Sequence, residues 1–371
     1  MLSPRGLTGA GCTIFLLIHP SLVRILYFTN VAPHLCRNMK EMGEQLNLKP
    51  HMVGWSKAKL MYSAGDVEGH KGTDGRHYLL DFSRSMPPVD PALCSSPALN
   101  GHLYMLFRRE FVKAYRTPLC SDGFSAFLRQ DPEEKAHNEE LREASGYLVD
   151  RLIPAFAREF LQIYREAWDS SRLKDIKITE HMHRRGINMR YLGRVFTAIL
   201  MVESEWSLEC GRAVLVEACA RVVKNRLNMR LRHHVRQLAF PVDVSYRRLV
   251  LRFLNLVFEG KEHSQRWWAE VLLPALYAHF SFSETALSEE AVSQEVLGRL
   301  QRAGLKGKPV YSLFGRGIIS VHVHPTPASS PSSSSRPPLI DSRVSLFRRV
   351  EALTGLRFDK SVKSKIKGTL L

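Results

Sequence analysis

The chain has 371 residues, of which 44% are apolar, so it can form a packed core, and intrinsic disorder is excluded as its main state. Its 53 lysine and arginine residues outnumber its 36 acidic residues, which gives a formal charge of +17. This charge attracts polyanions such as RNA, DNA, anionic lipid or an acidic protein surface. Net charge alone does not indicate which of them is the partner. The six cysteines include no Cys-x-x-Cys pair, so we predict reduced thiols, no metal site and no cofactor.

Residues 1–43 form an apolar N-terminal extension that contains no acidic residue before Glu41. Its most apolar part, residues 13–28, is interrupted by a histidine, a proline and Arg24. A membrane span needs about 20 predominantly apolar residues, and an arginine near its centre is costly, so we expect no integral span. Because targeting segments are also rich in arginine and poor in acidic residues, attachment to a mitochondrial or other membrane through residues 13–28 is an alternative.

Strand and turn signals dominate residues 46–88. The run from Arg76 to Phe82 is rich in strand-forming residues and is bounded by Gly75 and a Pro-Pro pair. The Asp74-Gly75 pair favours a tight hairpin turn. We therefore predict a small β-sheet in this part of the chain.

Beyond Gly101, apolar residues recur at spacings of three and four, which is typical of helices that bury one face. The predicted helical segments are 103–111, 148–163, 214–227, 246–258, 265–279 and 289–303. Together with the early strands, these segments predict an α+β fold, in which a small early β-sheet is followed by a predominantly helical domain.

A basic ridge is predicted on the helix that contains residues 214–236, where Glu217 is the one acidic residue. Arginine and lysine side chains on one helix face can bind phosphate groups through charge-assisted hydrogen bonds. The alternative is an ordinary solvated helix face. The candidate polyanion-binding residues are Arg212, Arg221, Lys224, Arg226, Arg230, Arg232 and Arg236.

The C-terminal part has a different composition. Residues 306–324 form a short strand-prone segment, and residues 325–338 are a Ser/Pro-rich linker without apolar periodicity. We expect residues 339–371 to form a basic helix and tail that is solvated or docks on an acidic partner.

Several long motifs resemble the Clu domain of the clustered-mitochondria family, some members of which are labelled as translation-initiation-factor-3 subunit-like. The similarity runs in family order over residues 44–236, and we assign residues 44–305 to a Clu-like domain. The motifs are residues 46–51 (LNLKPH), 66–88, 103–112, 183–195 (HRRGINMRYLGRV) and 210–225 (CGRAVLVEACARVVKN).

The resemblance implies a non-enzymatic, cytoplasmic adaptor that acts in mitochondrial distribution and binds mRNAs for mitochondrial proteins. The partners it implies are mRNA or an acidic protein surface, with the ribosome or the mitochondrial outer surface as further places of association. No catalytic residue is implied.

A ligand-binding or enzymatic pocket is the alternative function. Carboxylates with histidine, asparagine and arginine suit phosphotransfer or hydrolysis, provided that Asp81 and Asn188 converge. In the purely structural interpretation, Asp74 shapes a turn, Asp81 pairs with Arg84 or Arg190, and glycines 69, 72, 75 and 186 occupy turns with positive φ. The candidate pocket residues are Gly72, Asp74, Gly75, Arg76, Asp81, Arg84, His183, Gly186, Asn188 and Arg190.

Overall fold

The structure is a computed structural model that describes residues 33–54, 58–71, 74, 76–94, 100–173, 176–237, 243–258, 262–282 and 342–356. The chain divides into two compact units, the first made of residues 1–152 and 179–188 and the second of residues 153–178 and 189–371. Several predictions concern parts outside the described residues: the apolar segment 13–28, glycines 72 and 75, the helix at 289–303, the strand-prone segment 306–324, the linker 325–338 and the tail from 357 onward.

The described residues form short strands early and helices afterwards. The strands are β1 (His51–Val53), β2 (Lys59–Met61), β3 (Glu68–Lys71) and β4 (His77–Leu80). The α-helices are α1 (Pro33–Leu46), α2 (Arg109–Ala114), α3 (Glu134–Tyr147), α4 (Ile153–Asp169), α5 (Ile178–Arg184), α6 (Leu192–Leu200), α7 (Ser207–Gln237), α8 (Asp243–Phe258), α9 (Glu262–Trp267), α10 (Leu273–Phe280) and α11 (Ser342–Thr354). The predicted α+β class, with its strands early and a helical remainder, is confirmed.

The strands of the first unit form two separate antiparallel hairpins, β1 with β2 and β3 with β4, and not one sheet. In the second hairpin Glu68 lies opposite Leu80 and Lys71 opposite His77, so β3 and β4 pair as the predicted hairpin requires. Gly69 lies inside β3, where its backbone pairs with Leu79, and the expectation that it occupies a turn is wrong. The inward Leu79 packs against a small buried cluster of Met39, Ala64 and Val67.

The segment that joins β4 to α2 is less helical than its apolar spacing indicates. The Phe107 amide donates to the Pro87 carbonyl at 2.8 Å, and the Val89 amide donates to the Met105 carbonyl at 2.9 Å. Because residues 105–107 are held in this extended pairing, helix α2 begins only at Arg109. Gly101–Tyr104 forms a separate 3-10 turn.

The second unit is built around α7. Helix α4 buries apolar residues at helical spacing, among them Ile153, Phe156 and Phe160, and α6 packs between α4 and α7. Helix α11 packs on α7 and buries Leu346, Phe347 and Val350. The predicted C-terminal helix is therefore present, and it is docked on this unit.

Candidate functional site

The burial of side chains on helix α7 decreases along its 31 residues. Its first half is almost fully buried, with Val214, Ala218 and Val223 each at 0% exposure. Its second half is more exposed, and beyond Leu227 no apolar residue of α7 is buried. The basic residues predicted on this helix therefore divide into an enclosed group and an exposed group.

Arg221 belongs to the enclosed group, because it shares the buried carboxylate of Glu217 with an arginine of α11. The Arg221 Nε donates to Glu217 Oε1 at 2.7 Å, and the Arg349 Nη2 donates to the same oxygen at 3.0 Å, while the Arg349 Nε donates to Oε2. Burial raises the pKa of Glu217, but the hydrogen bonds and charges of the two arginines outweigh burial, so the pKa lies below its usual value. At Arg221, the positive charge of the predicted basic ridge is therefore neutralised by Glu217.

Arg212 is also enclosed, and its predicted place on an exposed ridge is wrong. Its Nη1 donates to Glu209 Oε1 at 2.7 Å, and both side chains are buried. The pairing follows from the i,i+3 spacing of the two residues on one helix face. Arg212 is therefore unavailable to a macromolecular polyanion.

The exposed group lies on the second half of α7 and continues onto α8. Lys224 and Arg226 are half-buried there. The exposed arginines, which we call the basic face, are Arg230, Arg232 and Arg236 of α7 and Arg247, Arg248 and Arg252 of α8. Asp243 is the one acidic residue in residues 224–258, so this stretch of the sequence has a high net positive charge. The arginines of α8 are absent from the prediction, although their clustering in sequence could have indicated them.

Two contacts fix α7 and α8 as an antiparallel pair. The Arg230 guanidinium lies 4.9 Å from the centroid of the Phe253 ring, and the His234 and Tyr246 rings are 5.8 Å apart. Position 234 thus faces the beginning of α8, and position 230 faces its second half. The two helices therefore lie side by side, and each carries exposed arginines.

No exposed Phe, Tyr or Trp side chain lies among the described residues 224–237 and 243–258, where Tyr246 is half-buried and Phe253 is buried. Two exposed apolar residues, Met229 and Leu251, lie next to Arg230 and Arg252 in the sequence. Extended base stacking on aromatic side chains is therefore not favoured by these residues. Its chemistry suits phosphate groups, which arginine binds through parallel N–H donors.

Asp74, Arg76 and Asp81 of the predicted pocket lie on the surface of the first unit. Asp74 accepts hydrogen bonds from the Arg76 amide at 3.1 Å and from the Tyr78 hydroxyl at 2.5 Å, which is the turn-shaping role. The Tyr78 hydrogen bond, followed by that of the Arg76 amide, lowers the pKa of Asp74. Asp81 is exposed, has a φ of +58°, and accepts a hydrogen bond from Ser83.

Arg84 is buried and pairs with carboxylates other than the predicted Asp81. Its Nε lies 2.8 Å from Asp66 Oδ2, and its Nη2 donates to Asp122 Oδ1 at 2.8 Å. Asp122 has no exposure, and its other oxygen accepts from His51 Nε2 at 2.9 Å and from the Gly65 amide at 2.7 Å. We call these four side chains the His51–Asp122 network. Asp122 was missed because 71 residues separate it from His51.

The remaining pocket candidates come from residues 183–190. Gly186 has a φ of +73°, and a Cβ atom there would lie 2.3 Å from the Phe111 nitrogen, so the positive φ predicted for this glycine is confirmed. His183 lies in the last turn of α5, and Asn188 ends the first unit, whereas Arg190 belongs to the second unit and lies 5.5 Å from the Tyr191 ring centroid. A convergent pocket of these residues stays a prediction.

Among the described residues, no group of three or more His, Cys, Asp or Glu side chains is arranged to hold a metal ion. Within the same residues, no helix combines the length and the apolar character that crossing a membrane requires. Of the cysteines described there, Cys94, Cys120, Cys210 and Cys219 are free, and the last three are buried.

Comparison with known proteins gives two family matches and a set of relatives. A family model described as Clustered mitochondria matches residues 29–90, and one described as Translation initiation factor eIF3 subunit 135 matches residues 173–300. Proteins named clustered mitochondria protein homolog are 26% identical in Yarrowia lipolytica, 28% in Lodderomyces elongisporus and 25% in Aspergillus fumigatus.

These three alignments cover 51%, 45% and 71% of this chain, respectively, and 18%, 15% and 24% of the relatives. The chain thus spans less than a quarter of the length of the relatives it matches. No solved structure matches it.

Proposed function

We propose that the chain is a non-enzymatic cytoplasmic adaptor of the clustered-mitochondria family that binds RNA through the basic face; the matched family model and the similar relatives support this proposal. In this proposal the RNA is mRNA for mitochondrial proteins, and the adaptor serves mitochondrial distribution. The Clu-like domain is taken to cover residues 44–305.

The observation that carries the proposal is that the arginines paired with buried carboxylates and the exposed arginines lie in different halves of α7. Its first half neutralises Arg212 and Arg221 with buried carboxylates, whereas its second half and α8 present six arginines. Several exposed arginines on neighbouring helices create a positive potential that attracts a polyanion and releases its counterions on binding. An ordinary solvated helix face is usually more mixed in charge.

RNA is favoured over an acidic protein as the partner because the basic face falls within residues 173–300, which match the translation initiation factor model. Partners connected with translation, such as mRNA or the ribosome, fit that match. Arginines without exposed rings contact the phosphate backbone, so we expect little dependence on base sequence. An acidic protein surface is the competing outcome.

The test is crosslinking of the purified full chain to total RNA at about 50 and 200 mM salt, a range over which a protein with many phosphate contacts loses orders of magnitude in affinity. We expect crosslinked peptides from residues 224–252 at the lower salt and a large loss of them at the higher salt. Crosslinks that map to the first unit, or no crosslinks at either salt, would overturn RNA binding by the basic face. In that event, capture of acidic peptides would be measured next.

A further inference from the structure

One edge of a buried guanidinium near the beginning of α7 has no hydrogen-bond acceptor within the described part of the chain. The Arg212 side chain is 6% exposed, and its Nη1 is occupied by Glu209. Its Nε and Nη2 atoms are buried, and neither has a hydrogen-bond partner among the described residues. These two N–H groups point in parallel from the same edge of the planar guanidinium, which is the edge that binds both oxygens of one carboxylate or phosphate group.

A second buried donor lies on the residue just before α7. The indole Nε1 of Trp206 is buried and has no hydrogen-bond partner among the described residues. The N-terminal end of a long helix carries a partial positive charge. The carboxylate beside Arg212 is Glu209, which is already engaged, and burial raises its pKa although Arg212 opposes that rise. Buried donors are nearly always paired in folded proteins, so this arrangement calls for an acceptor.

We propose that the open edge of Arg212 is a binding site for a small oxyanion, either a carboxylate or a phosphate group. The parallel N–H pair selects a ligand with two oxygens side by side, and the positive end of α7 favours a negative charge. A buried water molecule would be the neutral competitor, because it can also accept from buried donors.

The site is separate from the basic face. Lys224, the first basic residue of the more exposed half of α7, is 12 residues beyond Arg212, which corresponds to about 18 Å along an α-helix. The two surfaces can therefore be tested independently, and the oxyanion site does not depend on RNA binding.

The ligand test compares the thermal unfolding midpoint of the full chain in sodium phosphate, sodium acetate and sodium chloride at matched ionic strength. We expect the midpoint to rise with phosphate or acetate concentration above its value in chloride. Because phosphate also stabilises proteins without binding, the preferred oxyanion is the one whose effect decreases in Arg212→Lys. Equal midpoints in all three salts would overturn the proposal and leave water as the occupant.

The matched variants are Arg212→Lys, which keeps the charge but lacks two parallel donors, and Arg158→Lys at an exposed position outside the basic face. We expect Arg212→Lys to weaken anion binding roughly 10- to 100-fold, as for the loss of charge-assisted hydrogen bonds, and Arg158→Lys to leave it unchanged. An anion effect that is undiminished in Arg212→Lys would place the anion elsewhere and overturn the proposal.

A second measurement needs no variant, in case Arg212→Lys does not fold. The Nε–H resonance of Arg212 in the ¹⁵N-labelled wild-type chain is followed while phosphate and then acetate are added. A shift that saturates with one of these anions, and not with chloride, supports the site. A resonance that does not move with either oxyanion would contradict it.

Discussion

His51 Nε2 and Asp122 Oδ2 lie 2.9 Å apart, and neither side chain has any exposure to solvent. The other ring nitrogen of His51 lies 3.1 Å from the Lys49 carbonyl, so an imidazolium with both nitrogens protonated donates to two acceptors. Burial lowers the pKa of His51, but the hydrogen bond to Asp122 and the neighbouring Cys120 outweigh it and hold the pKa well above its ordinary value. Through Asp122, this pair joins β1 to Arg84 and to the Gly65 backbone.

Asp122→Ala should be among the most damaging substitutions in the first unit. It leaves the buried Arg84 and His51 without a shared carboxylate, and breaking a buried ion pair typically costs about 3–5 kcal/mol. Urea unfolding followed by circular dichroism measures this loss. The control is Asp81→Asn, an exposed position whose positive φ asparagine tolerates, where a change within about 0.5 kcal/mol is expected. Similar losses in both variants would contradict the network's role.

The raised pKa of His51 makes part of the stability dependent on pH. Because the folded pKa exceeds the unfolded value, the contribution is fully present below about pH 6.5 and is lost as the pH rises through the folded pKa. His51→Gln removes this dependence. The difference in unfolding free energy between the wild type and His51→Gln should therefore shrink between about pH 6 and pH 9. A difference that stays constant or grows would show that His51 is neutral in the folded chain.

Gly186 and Gly355 offer a matched pair of glycine substitutions. Both have φ near +72°, but a Cβ at Gly186 would collide with the Phe111 backbone, whereas nothing lies within 4 Å of one at Gly355. Gly355→Ala should cost about 1 kcal/mol from backbone strain alone. Gly186→Ala adds a steric clash and should cost roughly 1–3 kcal/mol more, as measured by urea unfolding. Equal costs would mean that the chain relaxes around the new methyl group.

The Glu217 carboxylate should hold α11 on α7. Glu217→Ala removes the acceptor of both Arg349 and Arg221, so we expect faster proteolytic release of the C-terminal segment and a loss of about 3–5 kcal/mol in unfolding free energy. Because the folded pKa of Glu217 is lowered, its stabilising contribution is present above its ordinary pKa and is lost as the pH falls through the folded value.

A double-mutant cycle separates the Glu217–Arg349 contact from general damage. Glu217→Ala and Arg349→Ala should be coupled by about 0.5–3 kcal/mol, the range found for residues in one ion-pair network. The exposed neighbour Arg348 provides the control, and Glu217→Ala with Arg348→Ala should be additive. Equal coupling in both cycles would contradict a specific contact.

The sequence predicts those features that depend on neighbouring residues. Helical spacing identifies α4, α7 and α8. A glycine at position 186 indicates a turn with positive φ, which the fold uses to let α5 approach Phe111.

Long-range pairing limits prediction of the site. Glu217, in the middle of α7, forms an ion pair with Arg349, which lies 132 residues away in the sequence. Nothing in the local sequence pattern connects the two residues. Arg84 likewise pairs with Asp122, which lies 38 residues beyond it, and not with the nearby Asp81. The exposed arginines of α7 were predicted, because exposed charges on a helix depend mainly on local sequence, whereas those of α8 were not included in the prediction.

The most direct test of the central claim is the salt dependence of RNA affinity, measured by fluorescence anisotropy with a labelled single-stranded RNA of random sequence. The test variant is Arg232→Glu/Arg236→Glu/Arg248→Glu on the basic face, and the control is Arg158→Glu/Arg165→Glu/Arg172→Glu at exposed positions elsewhere in the second unit. Both change the net charge equally, so they differ only in where the charge is lost.

For single strands, each phosphate contact contributes about −0.7 to the slope of log affinity against log salt. We expect the test variant to flatten the wild-type slope by roughly 2 and to lose most RNA affinity at low salt, while the control keeps a near wild-type slope. An unchanged slope in the test variant, or equal losses in the two variants, would contradict RNA binding by the basic face.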